Sequence, residues 1–264
     1  MDTSKSSAEI VEIAYVIDDE EAYWELIRTL HGRGTEIEFK IASDLTRSHD
    51  AIRRQIGADI LGQLGWGNQA FREESISLLI GLLSDQVEDV IASAAFSLGH
   101  RKSLEAIEPL RKHLKHLNPR VRFGVAFGLI GLDDLSAIEG LIILSNDTDY
   151  DVRNWATFGL GSQCDIDTDE LREALINRSE DPDPEIRGEA LIGLAQRKDA
   201  KVIDRVKKDL DGEFFGGWAI SAAELYPQKS YIPLLLSLSK KLGSEDSEYF
   251  MKDIKSALTA CEEI

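Results

Sequence analysis

From Asp19 onward, apolar residues recur at the three- and four-residue spacing of amphipathic helices, broken by short polar turns. Residues 20–31 predict a first helix. It stops at His31-Gly32-Arg33-Gly34, because glycine after the last turn frees the chain to leave the helix. Beyond it the helices come in pairs. The first member is a plain amphipathic segment, as in Ser103-Leu-Glu-Ala-Ile-Glu-Pro-Leu-Arg-Lys-His-Leu114. The second carries a recurring phrase: Arg122-Phe-Gly-Val-Ala-Phe-Gly-Leu129, Arg153-Asn-Trp-Ala-Thr-Phe-Gly-Leu160 and Arg187-Gly-Glu-Ala-Leu-Ile-Gly-Leu194. A β-branched residue precedes each arginine: Val121, Val152 and Ile186. The arginines stand 31 and 34 residues apart. A period of that length marks stacked repeats, each one supersecondary unit that cannot bury its apolar face alone.

The pattern predicts an all-α fold, an α-solenoid (superhelix) of about seven helix pairs plus an N-terminal helix. The pairs fall at about 35–65, 71–99, 103–131, 134–161, 167–195, 199–225 and 230–262. Residues 19–264 form one repeat domain; residues 1–18 are an arm or, over 8–17, a short packed helix. The repeat degenerates toward the ends, where Ile91 and Gly216 replace the arginine. Ala94, Ala95, Ala126, Ala156 and Ala190 stand where adjacent helices cross and only small side chains let the axes approach. Acidic turns at 147–151 and 180–184 supply caps for the second helices.

Composition sharpens the functional question. The 264 residues carry 30 basic and 48 acidic side chains, a net charge of −18, with no basic strip. Such a surface repels phosphates and disfavours nucleic acid, while it suits a basic protein partner. Cys164 and Cys261 lie far apart in no metal-ligand spacing and read as thiols of a reducing compartment. The polar N-terminus lacks the features of a cleavable signal, and no apolar run is long enough to span a bilayer. The expectation is a cytoplasmic protein.

Acidic turn, Val-Arg, paired small residues and Leu-Gly together resemble the HEAT repeat, in the subfamily named after phycobilisome lyases. The resemblance is clear over about 35–242. Ile60-Leu-Gly-Gln-Leu-Gly65, together with the phrases at 151–160 and 187–195, resembles a bacterial group of stand-alone HEAT proteins. Some of that group are encoded beside Rhs-type toxins and are regarded as immunity proteins. HEAT arrays serve many roles, so the resemblance speaks to fold more than to function.

Catalytic chemistry finds little footing. The HEAT-type deoxyhypusine hydroxylases hold two irons with His-Glu dipeptides, and this chain has none. His113 and His116 are three apart on an expected helix face, but no Cys, Asp or Glu completes a zinc site and Lys112 and Lys115 oppose a cation. Asp147, Asp149 and Asp151 begin like a calcium loop, as do Asp165, Asp167 and Asp169; Val152, Phe158 and Ile176 occupy required Gly and Glu positions, so capping explains them better. Nucleophile elbows and phosphate-binding glycine loops are absent, and carboxylates around Cys164 would blunt its reactivity. The expectation is no catalytic residue, no metal and no cofactor.

In HEAT pairs the second helix lines the inner, concave surface. Counting from the β-branched residue as zero, positions +2, +3 and +6 point away from the neighbouring helices. Position +6 gives Phe96, Phe127, Phe158 and Ile192; +3 gives Ser93, Gly124, Trp155, Glu189 and Trp218; +2 adds Phe123 and Asn154. These rows form an aromatic column, either an exposed binding strip rimmed by acid or rings packed on one another in a tight superhelix. Glu189 receives a ligand's Arg or Lys, or pairs internally with Arg153 or Arg187. The repeat arginines bridge to acidic turns of the next repeat, such as Asp149, Asp151 or Asp183. The functional expectation is a non-enzymatic protein-binding scaffold, most concretely an immunity protein that neutralises a cognate, possibly basic, toxin. Alternatives are a phycobilin-lyase-like tetrapyrrole-attachment protein and a HEAT-like DNA glycosylase, the latter disfavoured by charge.

Overall fold

The computed structural model describes residues 5–212, 217–241 and 247–264; among them every regular element is a helix. Gly216, the degenerate arginine position, lies outside the described residues. The N-terminal segment is a helix, α1 (Ser7–Val16), started by a capping box in which Ser6 and Glu9 satisfy each other's backbone N–H. Helix α2 (Glu20–Arg33) begins at the Asp19 cap and ends on Gly34, whose φ of +56° is the left-handed conformation that glycine adopts without strain.

The chain divides into two compact units, 1–140 and 141–264. In the first, α1 and α2 precede α3 (Glu36–Leu45), α4 (Ala51–Gln63), α5 (Arg72–Leu82), α6 (Glu88–Arg101), α7 (Ile107–Arg111) and α8 (Pro119–Leu129). Helices α4, α6 and α8 pack in sequence as one layer, and α3, α5 and α7 each pack on the second helix of their own pair. Helix α9 (Leu135–Leu144) contains the boundary. The second unit holds α10 (Tyr150–Gly161), α11 (Asp169–Arg178), α12 (Pro184–Gln196), α13 (Val202–Asp211), α14 (Gly217–Leu225), α15 (Ile232–Lys241) and α16 (Ser247–Glu262). There α10, α12, α14 and α16 form the layer, with α11, α13 and α15 against it. Stacked helix pairs are the construction of an α-solenoid.

One element is shorter than its periodicity predicts. The helix expected over 103–114 is a 3-10 turn at Leu104–Ala106 and the single turn of α7. His113 and His116 therefore lie beyond the helix in a turn, and His116 Nδ1 accepts the backbone N–H of Asn118 at 3.1 Å.

The small residues at the crossings are fully buried: Ala94, Ala95, Ala126, Ala156 and Ala190 expose nothing. Asp50, Asn118, Asp149 and Asp183 cap the second helices of their pairs, two of which open on Pro119 and Pro184. The repeat arginines form the expected ladder, with different acids. Arg153 reaches Asp181 at 3.0 Å and Arg187 approaches Asp209 at 3.8 Å, Arg122 donates to the carbonyl of His116, and Arg54, which holds the same place in the first pair, reaches Asp85 at 2.6 Å. The three that meet acids also donate to carbonyls of their own turns: Arg54 to Ser48, Arg153 to Asp147 and Arg187 to Asp181. Asp149 and Asp183 are already committed to helix caps, which leaves buried Asp181 as the acid that faces back to the preceding repeat.

Two further arginines end second helices by reaching back one repeat. Arg101 is 1% exposed, and its guanidinium donates to the carbonyls of Leu61 at 2.7 Å and Leu64 at 3.3 Å. Arg197 does the same for Cys164 at 2.6 Å and Ile166 at 2.8 Å. Arg101 satisfies orphan carbonyls at the end of α4, where the macrodipole favours a cation, and Arg197 satisfies carbonyls of the loop that follows α10. The Arg-Lys pair common to Gly99-His-Arg-Lys102 and Ala195-Gln-Arg-Lys198 carries this device, and Lys102 and Lys198 both take φ near +49°.

Candidate functional site

In the first unit the rows +2 and +6 of α4, α6 and α8 open onto one cavity of about 430 Å³. Phe96, Phe123 and Phe127 form one wall. Phe96 meets Phe123 edge-on at 4.9 Å and Phe127 at 5.4 Å. His100 lies against Phe127 at 5.0 Å. Trp24 and Glu20 of α2 close one side, and Gln55, Asp59 and Gln63 of α4 supply polar groups. Phe127 sits on the backbone of Gly99, where an added Cβ would fall 2.5 Å from its ring.

Asp59 is the chemical oddity of this cavity. Its side chain is buried and accepts a hydrogen bond from Tyr23 Oη at 2.6 Å. Burial pushes its carboxyl up to about 6, against the bonds from Tyr23 and Ser93 and the charge of Arg120 that favour ionisation. Burial also pushes the Tyr23 phenol up, with Asp59 adding to the shift. His31 Nε2 donates to the Asp59 backbone carbonyl at 2.8 Å, and burial lowers the imidazole to about 4, so it is neutral at pH 7.

These two groups drive stability in opposite directions over one pH window. A folded Asp59 that keeps its proton to about pH 6 loses stability as pH rises from its unfolded value near 4 to about 6. A folded His31 that resists protonation down to about pH 4 gains stability as pH rises from there to about 6.5. Each amounts to about 3 kcal/mol at most. Relative to wild type, Asp59→Asn is expected to gain stability between pH 4 and 6, and His31→Gln to lose it. Urea denaturation at pH 4.5 and 7 measures both; parallel pH profiles for wild type and Asp59→Asn would contradict the assignment.

In the second unit Asn154, Trp155, Phe158, Glu185, Glu189 and Trp218 line a cleft of about 210 Å³. Trp155 meets Phe158 edge-on at 5.8 Å. Trp218 rests on the backbone of Gly188, where a Cβ would fall 2.3 Å from its Cγ. Its Nε1–H donates to Glu189 Oε1 at 3.1 Å, and Ser162 Oγ donates to Oε2 at 2.5 Å. The expected internal pairing of Glu189 with Arg153 or Arg187 does not occur, because those arginines serve Asp181 and Asp209.

The nine residues singled out from the sequence are all half-buried: Phe96, Phe123, Phe127, Asn154, Trp155, Phe158, Glu189, Ile192 and Trp218. The first three share the cavity of the first unit; Asn154, Trp155, Phe158, Glu189 and Trp218 share the cleft of the second. Ile192 lines neither. The expectation that row +3 faces open space fails at Gly124, which is buried against α6, while Ser93, largely buried, still lines the cavity of the first unit. A Cβ on Gly124 would meet Ala92 O at 3.0 Å and Ala95 Cβ at 3.1 Å, so this glycine is a helix-crossing position. Asp59 and Gln55 escaped the sequence reading although they continue rows +6 and +2. Arg53 stands at position zero of that repeat instead of a β-branched residue, which hid the register. Among the described residues, no three of His, Cys, Asp or Glu are placed to hold a metal ion.

The family model for HEAT repeats matches residues 76–161 and again 138–213, together more than half of the chain. The chain belongs to the HEAT-repeat family. It is similar to Protein YibA of Escherichia coli K12, 28% identical over 227 residues that make up 83% of this chain and 80% of YibA. The X-ray structure of E. coli YibA superposes with a TM-score of 0.79 at 25% identity, covering 98% of this chain and 93% of that one. The CpcE–CpcF complex of phycocyanin lyase from Nostoc sp. PCC7120 shares the HEAT-like fold alone, with a TM-score of 0.50 at 15% identity over 96% and 95% of the two chains. No helix among the described residues is long and apolar enough to cross a membrane.

Proposed function

We propose that this HEAT-repeat protein is a non-enzymatic, cytoplasmic binding module that holds a basic protein partner on the half-buried rows of its second helices. The immunity-type role, occupying and neutralising a cognate toxin, is the most concrete form of that reading. The observation that carries it is the gathering of half-buried aromatic side chains into a cavity and a cleft, Phe96, Phe123 and Phe127 in one and Trp155, Phe158 and Trp218 in the other. Aromatic rings that keep part of their surface in water supply contact area to a partner that fully buried core rings do not. The net charge of −18 supplies long-range attraction for a basic protein.

The test begins with the products of the neighbouring genes. A toxic product should be silenced by co-expression of this chain and should co-purify with it. Association with the purified partner is expected to slow steeply as salt rises, because exposed charges are screened beyond about 8–10 Å at physiological ionic strength. Dissociation should change less, since the aromatic contacts hold the complex. Association rates that ignore salt would remove acidity from recognition, and a toxin left fully active by the bound chain would overturn the immunity role.

A further inference from the structure

The cleft of the second unit presents two carboxylates that form no ion pair among the described residues. Glu189 is held on both oxygens by neutral donors, Ser162 Oγ and Trp218 Nε1–H. Glu185, on the same helix, accepts from Tyr150 Oη at 2.8 Å and from the Asn154 amide at 3.4 Å. Neutral donors orient a carboxylate without cancelling its charge. Among the described residues the arginines of this unit are engaged elsewhere. Arg153 and Arg178 meet Asp181, Arg187 approaches Asp209, Arg172 meets Asp167 and Asp199, and Arg205 meets Glu180.

Aromatic rings surround these carboxylates. Trp155, Phe158 and Trp218 complete the lining of the cleft. Trp218 is fixed from behind by Gly188 and from its indole N–H by Glu189. Ring faces carry negative electrostatic potential and attract a cation, most strongly on tryptophan. The space, about 210 Å³, suits one extended side chain and excludes a helix or strand.

We propose that this cleft binds an arginine side chain of a basic polypeptide, with its guanidinium against the indoles of Trp155 and Trp218 and its N–H groups directed to Glu189 and Glu185. The assignment deepens the protein-binding reading and rests on it. Guanidinium fits better than ammonium for three reasons: it is more weakly hydrated, its flat face stacks on an indole, and its edge donates to carboxylates at the same time. The surrounding acidity draws such a group in, and nothing in the cleft offers an anion a cationic side chain.

The experiment uses the whole chain, isotopically labelled, with three peptides that differ at one position: acetyl-Gly-Arg-Gly-amide, the citrulline analogue and the lysine analogue. The indole N–H resonances of Trp24, Trp66, Trp155 and Trp218, assigned by Trp→Phe variants, report the site. The arginine peptide is expected to shift Trp155 and Trp218 and to leave Trp66 in place. The citrulline peptide, neutral and nearly isosteric, should bind at least tenfold more weakly, and the lysine peptide several-fold more weakly. Glu189→Gln should weaken the arginine peptide tenfold or more; Glu185→Gln on the exposed rim gives the same reading should Glu189→Gln fold poorly. Glu170→Gln, exposed on α11, should change nothing. Equal binding of arginine and citrulline peptides, binding indifferent to both cleft substitutions, or lysine binding as tightly as arginine would each overturn the proposal. Should the peptides fail while a protein partner still binds and is lost on Trp155→Ala, the arginine assignment falls and the protein-binding reading stands. Specific peptide binding with no protein partner found would leave the opposite result.

Discussion

Gly124→Trp is expected to unfold the first unit rather than fill a groove. The glycine sits where α8 crosses α6, and even a methyl group there would press on Ala92 O at 3.0 Å, Ala95 Cβ at 3.1 Å and the Phe96 ring at 3.4 Å. The first two neighbours are a backbone atom and a fully buried side chain, so neither yields without moving the helix. Gly124→Ala requires shifts of tenths of an ångström and should cost about 1 kcal/mol or somewhat more. An indole requires the two helices to part, at a cost of about 3 kcal/mol or more. Thermal unfolding followed by circular dichroism distinguishes the two; a tryptophan variant as stable as wild type would place this row back in open space.

Arg101→Ala is expected to cost about 3 kcal/mol, although among the described residues no carboxylate pairs with this arginine. The guanidinium satisfies the carbonyls of Leu61 and Leu64 at the end of α4, inside protein where water does not reach. Leaving two buried acceptors without donors costs about 1–3 kcal/mol each, and the lost stem leaves a void. Burial lowers the pKa of Arg101 to about 10, with Arg72 adding to the shift, so the variant no longer has to bury a charge on folding, which offsets part of that loss. Urea unfolding of the variant measures the balance. A rise in stability would show that the buried charge costs more than the two capped carbonyls return.

The helix pairs were legible because their signals are local. Caps such as Asp149 and Asp183, prolines at 119 and 184, and the recurring arginine each act within a few residues, and the pairs fall where periodicity placed them. The arginine ladder was legible in form but not in detail, because the nearest acids were already consumed as caps and Asp181 took their place. The length of α7 was not legible: its apolar pattern continues past Arg111, but the chain turns instead. The rows of the second helices were read as equally open, yet openness depends on how closely neighbours approach. Gly124 brings row +3 of α8 into contact with the preceding helix α6, whereas Trp155 and Trp218 on the same row keep surface in the cleft. Buried Asp59 and Arg101 are long-range features, made by residues 36 and 40 positions away in the chain, and no local spacing announces them.

On the proposed function, the half-buried aromatic residues of the second helices are kept for a partner and not for the core. Paired unfolding and binding measurements on Trp155→Ala and Phe123→Ala, against the partner isolated with the wild-type chain, test it most directly. Each variant is expected to lose less than about 2 kcal/mol of stability, below the roughly 3–5 kcal/mol of a core aromatic. Affinity is expected to fall by about 2 kcal/mol or more, roughly thirtyfold, as at an interface hot spot. Collapse of the fold by a core-sized 3–5 kcal/mol, with affinity per folded molecule unchanged, would contradict it.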